Sequence, residues 1–262
     1  MSAELEQLNE ASLRHALGAD AALLDVRVFA ELDSTNTEAK RQIARGIQKP
    51  LLIVAESQSA GRGRMGRSFY SPAKSGVYFS LLFQSREPIS QAVALTGAAA
   101  VAVMRAVRAC TGKQCAIKWV NDLYLNGKKV CGILAESAVL QGSAPYIVLG
   151  IGINLFTSDF PAELESVAGA LGTEPISRAK LIARVCRELR RFIEDPDDRS
   201  WLADYRAHSC VIGQPINWTE AGVSHDGVAT GIDENGGLEV LGRDGERRTL
   251  STGEISVRMM PS

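Results

Sequence analysis

Histidine and aromatic residues are scarce: three His, and 6% Phe, Trp and Tyr, in 262 residues. His15, His208 and His225 stand far apart with no second ligand at metal spacing, which argues against a zinc site and leaves any metal ligand unassigned. Cys110, Cys115, Cys131, Cys186 and Cys210 contain no C-x-x-C pair and are odd in number. A disulfide framework is therefore not expected, and reduced thiols in a cytoplasm fit best. The net charge is only −1, so no global excess of either sign points to nucleic acid or to a membrane surface. The longest apolar run, residues 92–104, reads as too short and too alanine-rich to span a bilayer. The N-terminus, MSAELEQLNEASLRHAL, is acidic and amphipathic, unlike a signal peptide. There is no G-x-S-x-G and no cysteine–histidine motif, so no covalent nucleophile is indicated. The absence of G-x-x-x-x-G-K-[ST] excludes a P-loop.

What is present suits a globular domain with a small appendage: 45% hydrophobic and 23% charged residues. Residues 4–17 read as a surface helix and Val26 to Leu32 as a strand. Thr35 and Glu38 have capping-box spacing, so a helix is expected to begin there and run to Gly46. Leu51–Ala55 and Val77–Phe83 read as strands around a polar, basic loop at 56–75, and 89–109 as a helix stopped by Gly112. Asn126-Gly127 favours a type I′ turn, because both residues tolerate positive φ, and predicts a hairpin over 116–137. A strand at Tyr146–Ile153 precedes two or three helices within 161–208, the middle one from Ser177 to about Glu194. After Cys210 helical periodicity gives way to short strands with turns at Asn235-Gly236-Gly237 and Asp244-Gly245. The expectation is an α+β fold, a mostly antiparallel mixed sheet covered by helices over 1–209, and a small β-barrel or sandwich over 210–262.

Three segments carry chemistry. Gly61-Arg62-Gly63-Arg64-Met65-Gly66-Arg67 lies in a stretch without acids between Glu56 and Glu87, which gives a local charge of about +5. Glycines let backbone approach a ligand, and arginine forks match phosphate. By letter this is G-x-G-x-x-G, but a polar ESQSA spacer precedes it and poor helix-opening sequence follows, so it is not a dinucleotide fingerprint. A solvated arginine loop is the competing reading. In Ile117-Lys118-Trp119-Val120-Asn121-Asp122, Lys118 either points inward to an anion or outward to solvent, and Asn121 and Asp122 read first as turn formers. Gly150-Ile151-Gly152-Ile153-Asn154 leaves one strand face bare, for a flat ligand or for close strand–helix packing, and Asn154 could meet an adenine edge.

These segments, with Asp33-Ser34-Thr35-Asn36, Gln58, Tyr78-Phe79-Ser80, KWVNDLYL, Val130-Cys131-Gly132-Ile133-Leu134-Ala135-Glu136 and Gly253-Glu254-Ile255-Ser256-Val257-Arg258, resemble in order and spacing the bacterial biotin protein ligases, the biotin–acetyl-CoA-carboxylase ligases. The likeness covers about residues 25–262. It implies a class II synthetase-like sheet followed by an SH3-like barrel, with biotin and ATP as substrates, Mg²⁺ on the triphosphate, and a biotin carboxyl carrier protein as acceptor. It implies a biotin site of Ser34, Thr35, Asn36, Gln58, Gly61, Arg62, Lys118 and Gly132. ATP and the acyl-adenylate would meet Arg64, Arg67, Phe69, Lys118, Asn121 and Asn154, with Glu254 and Arg258 closing the site from the small domain. Catalysis would fall to Lys118, Arg62, Arg64 and Arg67. Two departures stand out: Val120 where the resembling ligases usually have proline, and Phe69 where they usually have tryptophan. Phe69 can still stack.

The stretch before the Ser34 motif is too short for the winged helix that some relatives carry, so DNA binding is not expected, nor is a membrane partner. A homodimer stays possible. The nearest rival is a lipoate–protein ligase, against which the GRGR loop and the C-terminal β domain count. An RNA-binding module would need aromatic–basic interleaving that is not seen.

Overall fold

The structure, a computed structural model, describes residues 8–47, 49–85, 92–139, 144–172, 176–220, 222–251 and, as backbone only, 256–259. Glu254 and residues 89–91 of the expected helix lie outside the described residues, as do residues 1–7.

Asn9 opens helix α1 (Glu10–Leu17) with a capping box, its side chain accepting from the Ser12 amide at 2.8 Å. Leu13 and Leu17 of α1 are fully buried, so this helix covers core instead of lying freely on the surface. Strand β1 (Asp25–Leu32) leads to α2 (Thr35–Arg45). The expected capping box at Thr35 does not form. Ser34 is the N-cap and makes no side-chain cap, while the Thr35 amide donates to Gln58 Oε1 at 2.8 Å. A long-range acceptor has replaced the local one. Strand β2 (Leu51–Gln58) runs three residues beyond the expected Ala55, so the Glu56-Ser57-Gln58 part of the supposed spacer is strand.

Then follow β3 (Gly76–Gln84), α3 (Ala92–Thr111), β4 (Ala116–Lys118), β5 (Asp122–Leu125), β6 (Lys128–Ala138) and β7 (Tyr146–Asn154). Asn126 and Gly127 have φ of 52° and 75°, the left-handed pair of the expected type I′ turn. The strands form one seven-stranded sheet, β1-β2-β3-β7-β6-β5-β4, in which only β1 and β2 are parallel. The expected mostly antiparallel sheet is therefore present.

Period-two alternation sends the two faces of this sheet to different layers. Leu52, Val54, Val77, Phe79, Leu149 and Ile151 face the large core built with α1, α3, α4 (Arg178–Glu194) and α5 (Leu202–His208). Leu51, Ile53, Leu82 and Val148 face α2, which covers only part of its side. The rest of that face is left for a ligand. Residues Val93–Thr111 have the length and apolarity to cross a bilayer, more than the 92–104 run suggests, but α3 is the central core helix and Ala98–Val103 are buried.

Beyond α5 five short strands, β8 (Pro215–Glu220), β9 (Val223–Ile232), β10 (Leu238–Gly242), β11 (Arg247–Leu250) and β12 (Ser256–Met259), form a second antiparallel sheet in the order β11-β10-β9-β8-β12. This is the small SH3-like β domain. Its Ile216, Trp218, Ile232 and Leu238 are continuous with the main core.

Candidate active site

The uncovered part of the α2 face contains a cross-strand row. Lys118 of β4 pairs with Asp122 of β5, Asp122 with Gly132 of β6, Gly132 with Gly152 of β7, and Gly152 with Tyr78 of β3. Two glycines thus lie side by side in the middle of a floor whose end carries a lysine. Over them lies the Phe69 ring, so close that a Cβ at Gly152 would fall 2.5 Å from its Cε1. Gly150 serves a different purpose. Its missing side chain admits the Asn36 amide from α2, the close strand–helix packing that the sequence left open.

The arginine segment is a folded hairpin. Arg62 and Ser68 bridge, the Gly63 amide donates to the Arg67 carbonyl at 2.7 Å, and Phe69 donates to Gly61 at 2.9 Å. Met65 and Gly66 form its tip with φ of 55° and 72°. One short turn, Arg64–Gly66, and no α-helix follows the glycines, in keeping with the rejected dinucleotide reading. Gly61 does not line the cavity described below. A Cβ there would collide with the Phe69 carbonyl and lie 2.8 Å from Ser71 Oγ, so Gly61 closes the hairpin base.

Floor and hairpin enclose a cavity of about 380 Å³. It brings together Ser34, Thr35, Asn36, Gln58, Arg62, Arg64, Arg67, Phe69, Lys118, Asn121, Gly132 and Asn154 from the sequence reading. Arg258 sits on β12, where its backbone pairs with Asn217. The cavity also gains Lys129, Asp122, Tyr124, Tyr70, Phe160, Leu164 and Ala168, which sequence reasoning missed. Lys129, next to a turn, carries no motif, yet its Nζ pairs with Asp122 at 2.7 Å beside Gly132. Phe160 follows no periodic pattern, and only its ring contact with Tyr70, at 6.1 Å between centroids, reveals it.

The two ends differ in chemistry. At one end the polar groups are buried and bonded to each other. Gln58 Oε1 takes the Thr35 amide, Gln58 Nε2 donates to Ser71 Oγ at 2.9 Å, and Ser80 Oγ donates to Asn36 Oδ1 at 2.6 Å and lies at hydrogen-bond distance, 2.7 Å, from Thr35 Oγ1. Asn36 Nδ2 donates to Glu136 at 2.9 Å, and Glu136 also binds Lys40 at 2.7 Å and Arg62 at 3.0 Å. Burial pushes the Glu136 carboxyl up, but the hydrogen bonds from Lys40 and Asn36 and the charges of Lys40 and Arg62 outweigh it and hold the group below its ordinary value.

At the other end Arg64, Arg67, Lys118 and Lys129 line the cavity with one described carboxylate, Asp122, which pairs with Lys129. Lys118 points into the cavity, with Nζ 5.5 Å from the Tyr124 ring centre. Arg64 donates to Asn121 Oδ1 at 3.0 Å, and burial lowers its pKa. Asn121 in turn donates to the Ile133 carbonyl at 2.8 Å, so the residue read as a turn former also ties the hairpin to β6. Val120 follows a cis peptide bond and is buried. Asn154 is 4% exposed; its Nδ2 donates to Gly169 at 3.0 Å, while its Oδ1 has no hydrogen-bond partner among the described residues. Such a cavity can take a small acid by its neutral head, bring its carboxylate toward phosphate, and hold both anions among cations.

Comparisons with known proteins agree with this geometry. Residues 28–154 match the model of the Biotin/lipoate A/B protein ligase family, and residues 211–258 that of the Biotin protein ligase C terminal domain. The biotin–[acetyl-CoA-carboxylase] ligase of Mycobacterium tuberculosis is 33% identical over 260 residues, covering 95% of each chain. The bifunctional ligase/repressor BirA of Bacillus subtilis is 30% identical over 94% of this chain and 78% of its own. A solved structure, the biotin protein ligase from Aquifex aeolicus in complex with biotin and ATP, superposes with a TM-score of 0.76 at 26% identity, over 90% of this chain and 99% of that one.

Proposed function

The chain belongs to the biotin protein ligases of the biotin/lipoate A/B protein ligase family, and from that membership we propose how its cavity activates biotin with ATP and which carrier lysine chemistry it serves. It is an ATP-using biotin ligase, and the biotin relatives set aside the lipoate alternative. The acceptor we assign is a lysine of a biotin carboxyl carrier protein. The five unpaired cysteines support a cytoplasmic setting.

The observation that carries the reading is the polarity gradient along one cavity, neutral donors and acceptors at buried Ser34 and Thr35 and half-buried Gln58, and cations at the opposite end. A ureido ring has a carbonyl and two N–H groups to match the neutral end. A dithiolane ring has no hydrogen-bonding group to offer there. We assign the ring to Ser34, Thr35, Asn36, Gln58 and the backbone at Gly132, and adenine to Asn154 with Phe69 nearby. The division of labour follows residues 1–209 for this chemistry and 210–262 for the appended domain, with Glu254 and Arg258 closing the site.

A carboxylate is a poor acyl donor until it carries a leaving group. In the first step one biotin carboxylate oxygen bonds to the α-phosphorus, the bond from that phosphorus to the bridging oxygen breaks, and pyrophosphate departs with the electron pair. Two anions must meet, so Lys118 with Arg62, Arg64 and Arg67 supplies charge where it accumulates. In the second step the carrier's neutral amine attacks the acyl carbon, AMP leaves, and the amine proton is lost to solvent. No side chain needs to bond covalently to biotin. The arginine hairpin shields the mixed anhydride from water between the steps.

Among the described residues no three His, Cys, Asp or Glu converge as a metal site. The one carboxylate among the described lining residues, Asp122, is already paired with Lys129. These residues do not form a Mg²⁺ cage, and the ion we expect is the one that arrives on the nucleotide's phosphates.

The test is transfer. Incubation with biotin, Mg-ATP and a biotin carboxyl carrier protein should add one biotinyl group to one carrier lysine, read by intact mass. An unmodified carrier, or one modified from lipoate in preference to biotin, refutes the assignment.

A further inference from the structure

The strand that carries Lys118 is the sheet's outermost strand and only three residues long. On its inner side it has β5; on its outer side no strand among the described residues pairs with it. Short edge strands of this kind are poorly held by their own ladder. Three contacts from the C-terminal third of the chain take over that work. The Cys210 amide donates to the Ile117 carbonyl at 2.9 Å. The Tyr205 hydroxyl donates to the Val120 carbonyl at 3.3 Å. The indole Nε1 of Trp119, the residue next to Lys118, donates to the Gly236 carbonyl at 2.9 Å, in a buried setting.

The third contact comes from the turn between β9 and β10, and that turn is built rigidly. Asp233 Oδ1 accepts from the Asn235 amide at 2.8 Å and the Gly237 amide at 2.7 Å. Gly236 has φ of 84°, and a Cβ there would press on Trp201 at 3.1 Å and on α3 at 3.5 Å. Arg206 of α5 clamps the strand leading in, through two bonds to the Ile232 carbonyl at 2.9 and 2.6 Å. The turn is therefore wedged between the Trp119 indole, Trp201 and α3, with its carbonyl aimed at the indole.

From this arrangement we infer that the Asp233–Gly237 turn of the small domain is a positioning device for the ligation reaction, holding Lys118 in register through the Trp119–Gly236 hydrogen bond. Trp119 and Asp233 are positioning residues. Their effect is assigned to the placement of Lys118, although Trp119 also lines the cavity, and the inference rests on the ligase reading. Because Lys118 acts where charge builds up in the transition state, misplacing it lowers kcat more than it raises KM.

The experiment uses the full chain with Trp119 replaced by benzothienylalanine, which keeps the bicyclic shape and loses the N–H. Asp233→Ala and the double variant accompany it. Biotin-dependent exchange of pyrophosphate into ATP gives kcat and the KM for biotin. The expected result is a fall in kcat of about tenfold, the scale of one hydrogen bond, with the biotin KM within about threefold of the parent. The double variant should be no worse than the more impaired single one, because both changes break the same link. A folded benzothienylalanine protein with kcat within twofold of the parent overturns the inference, and so do losses that multiply in the double variant. An unsubstituted chain that shows no biotin-dependent exchange would instead sink the ligase reading itself.

Discussion

Phe69 packs directly against Gly152, and no side chain other than hydrogen leaves room for it: an added Cβ would stand 2.5 Å from Cε1 and 2.7 Å from Cζ. The ring also closes over Gly132, where a Cβ would be 3.1 Å away. The aromatic wall of the cavity and the bare floor are therefore one construction. Gly152→Ala should displace a half-buried ring that can swing aside, so it should cost little stability and at least about tenfold in adenylation. Gly150→Ala meets Asn36, which is fixed by Ser80 and Glu136 and cannot yield. That change should destabilise the fold by about 1–3 kcal/mol. Thermal melts and exchange rates of the two proteins, side by side, should show opposite rankings. Equal melting temperatures would contradict this account of the floor.

Lys118→Ala should lower the rate of biotin adenylation by at least about a hundredfold, since the charge is needed mainly in the transition state. The cavity position of Lys118, beside Tyr124 and away from the core, means that folding should survive. Circular dichroism together with single-turnover formation of biotinyl-AMP checks both halves. A folded variant adenylating near the normal rate would return this lysine to a surface role.

Arg64→Gly removes the bond to Asn121 that ties the hairpin to the floor. The first half-reaction should suffer less than retention of its product. A charge-assisted contact is worth on the order of 1.5–3 kcal/mol, so the lifetime of bound biotinyl-AMP should fall roughly ten- to a hundredfold. Escaped adenylate would label lysines without selectivity. Mixing the variant with biotin, Mg-ATP and an unrelated lysine-rich protein measures this. Labelling no greater than with the unsubstituted enzyme, at equal adenylation rate, would show that Arg64 does not retain the intermediate.

Glu136 links Asn36 and Lys40 of α2 to Arg62 of the hairpin. Its folded-state pKa lies below the ordinary 4.5, so the unfolded chain takes up the proton first as pH falls. The stability it provides is complete above about pH 4.5 and is lost as pH drops through the folded value. Glu136→Gln should cost roughly 1 kcal/mol at neutral pH and show a shallower decline below pH 4.5. Urea melts across pH 3–7 provide the comparison. Curves that stay parallel over the whole range would remove Glu136 from the acid response.

Periodic segments and turn chemistry made most of the architecture legible. Asn126-Gly127, the Ser177 cap and the glycines at 236 and 245 each act within a few residues, where local rules hold. What failed was non-local. Thr35 and Glu38 have capping-box letters, but Gln58, far along the chain, captures the Thr35 amide. The site motifs named the cavity well because each places several functional residues in a short run. Lys129, Phe160 and Leu164 escaped notice because only strand register and a distant loop bring them there. Whether Lys118 points in or out could not be read from Ile117-Lys118-Trp119. It follows from the row Lys118, Asp122, Gly132, Gly152, which exists only once four strands are in register.

The central claim is that one cavity joins biotin's carboxylate to the α-phosphate of ATP. The measurement that bears on it most directly is exchange of labelled pyrophosphate into ATP by the purified chain, with biotin, with lipoate and with neither acid. The account predicts exchange that requires biotin, is not supported by lipoate and is nearly abolished in Lys118→Ala. Exchange that is absent with biotin, or faster with lipoate, would contradict it.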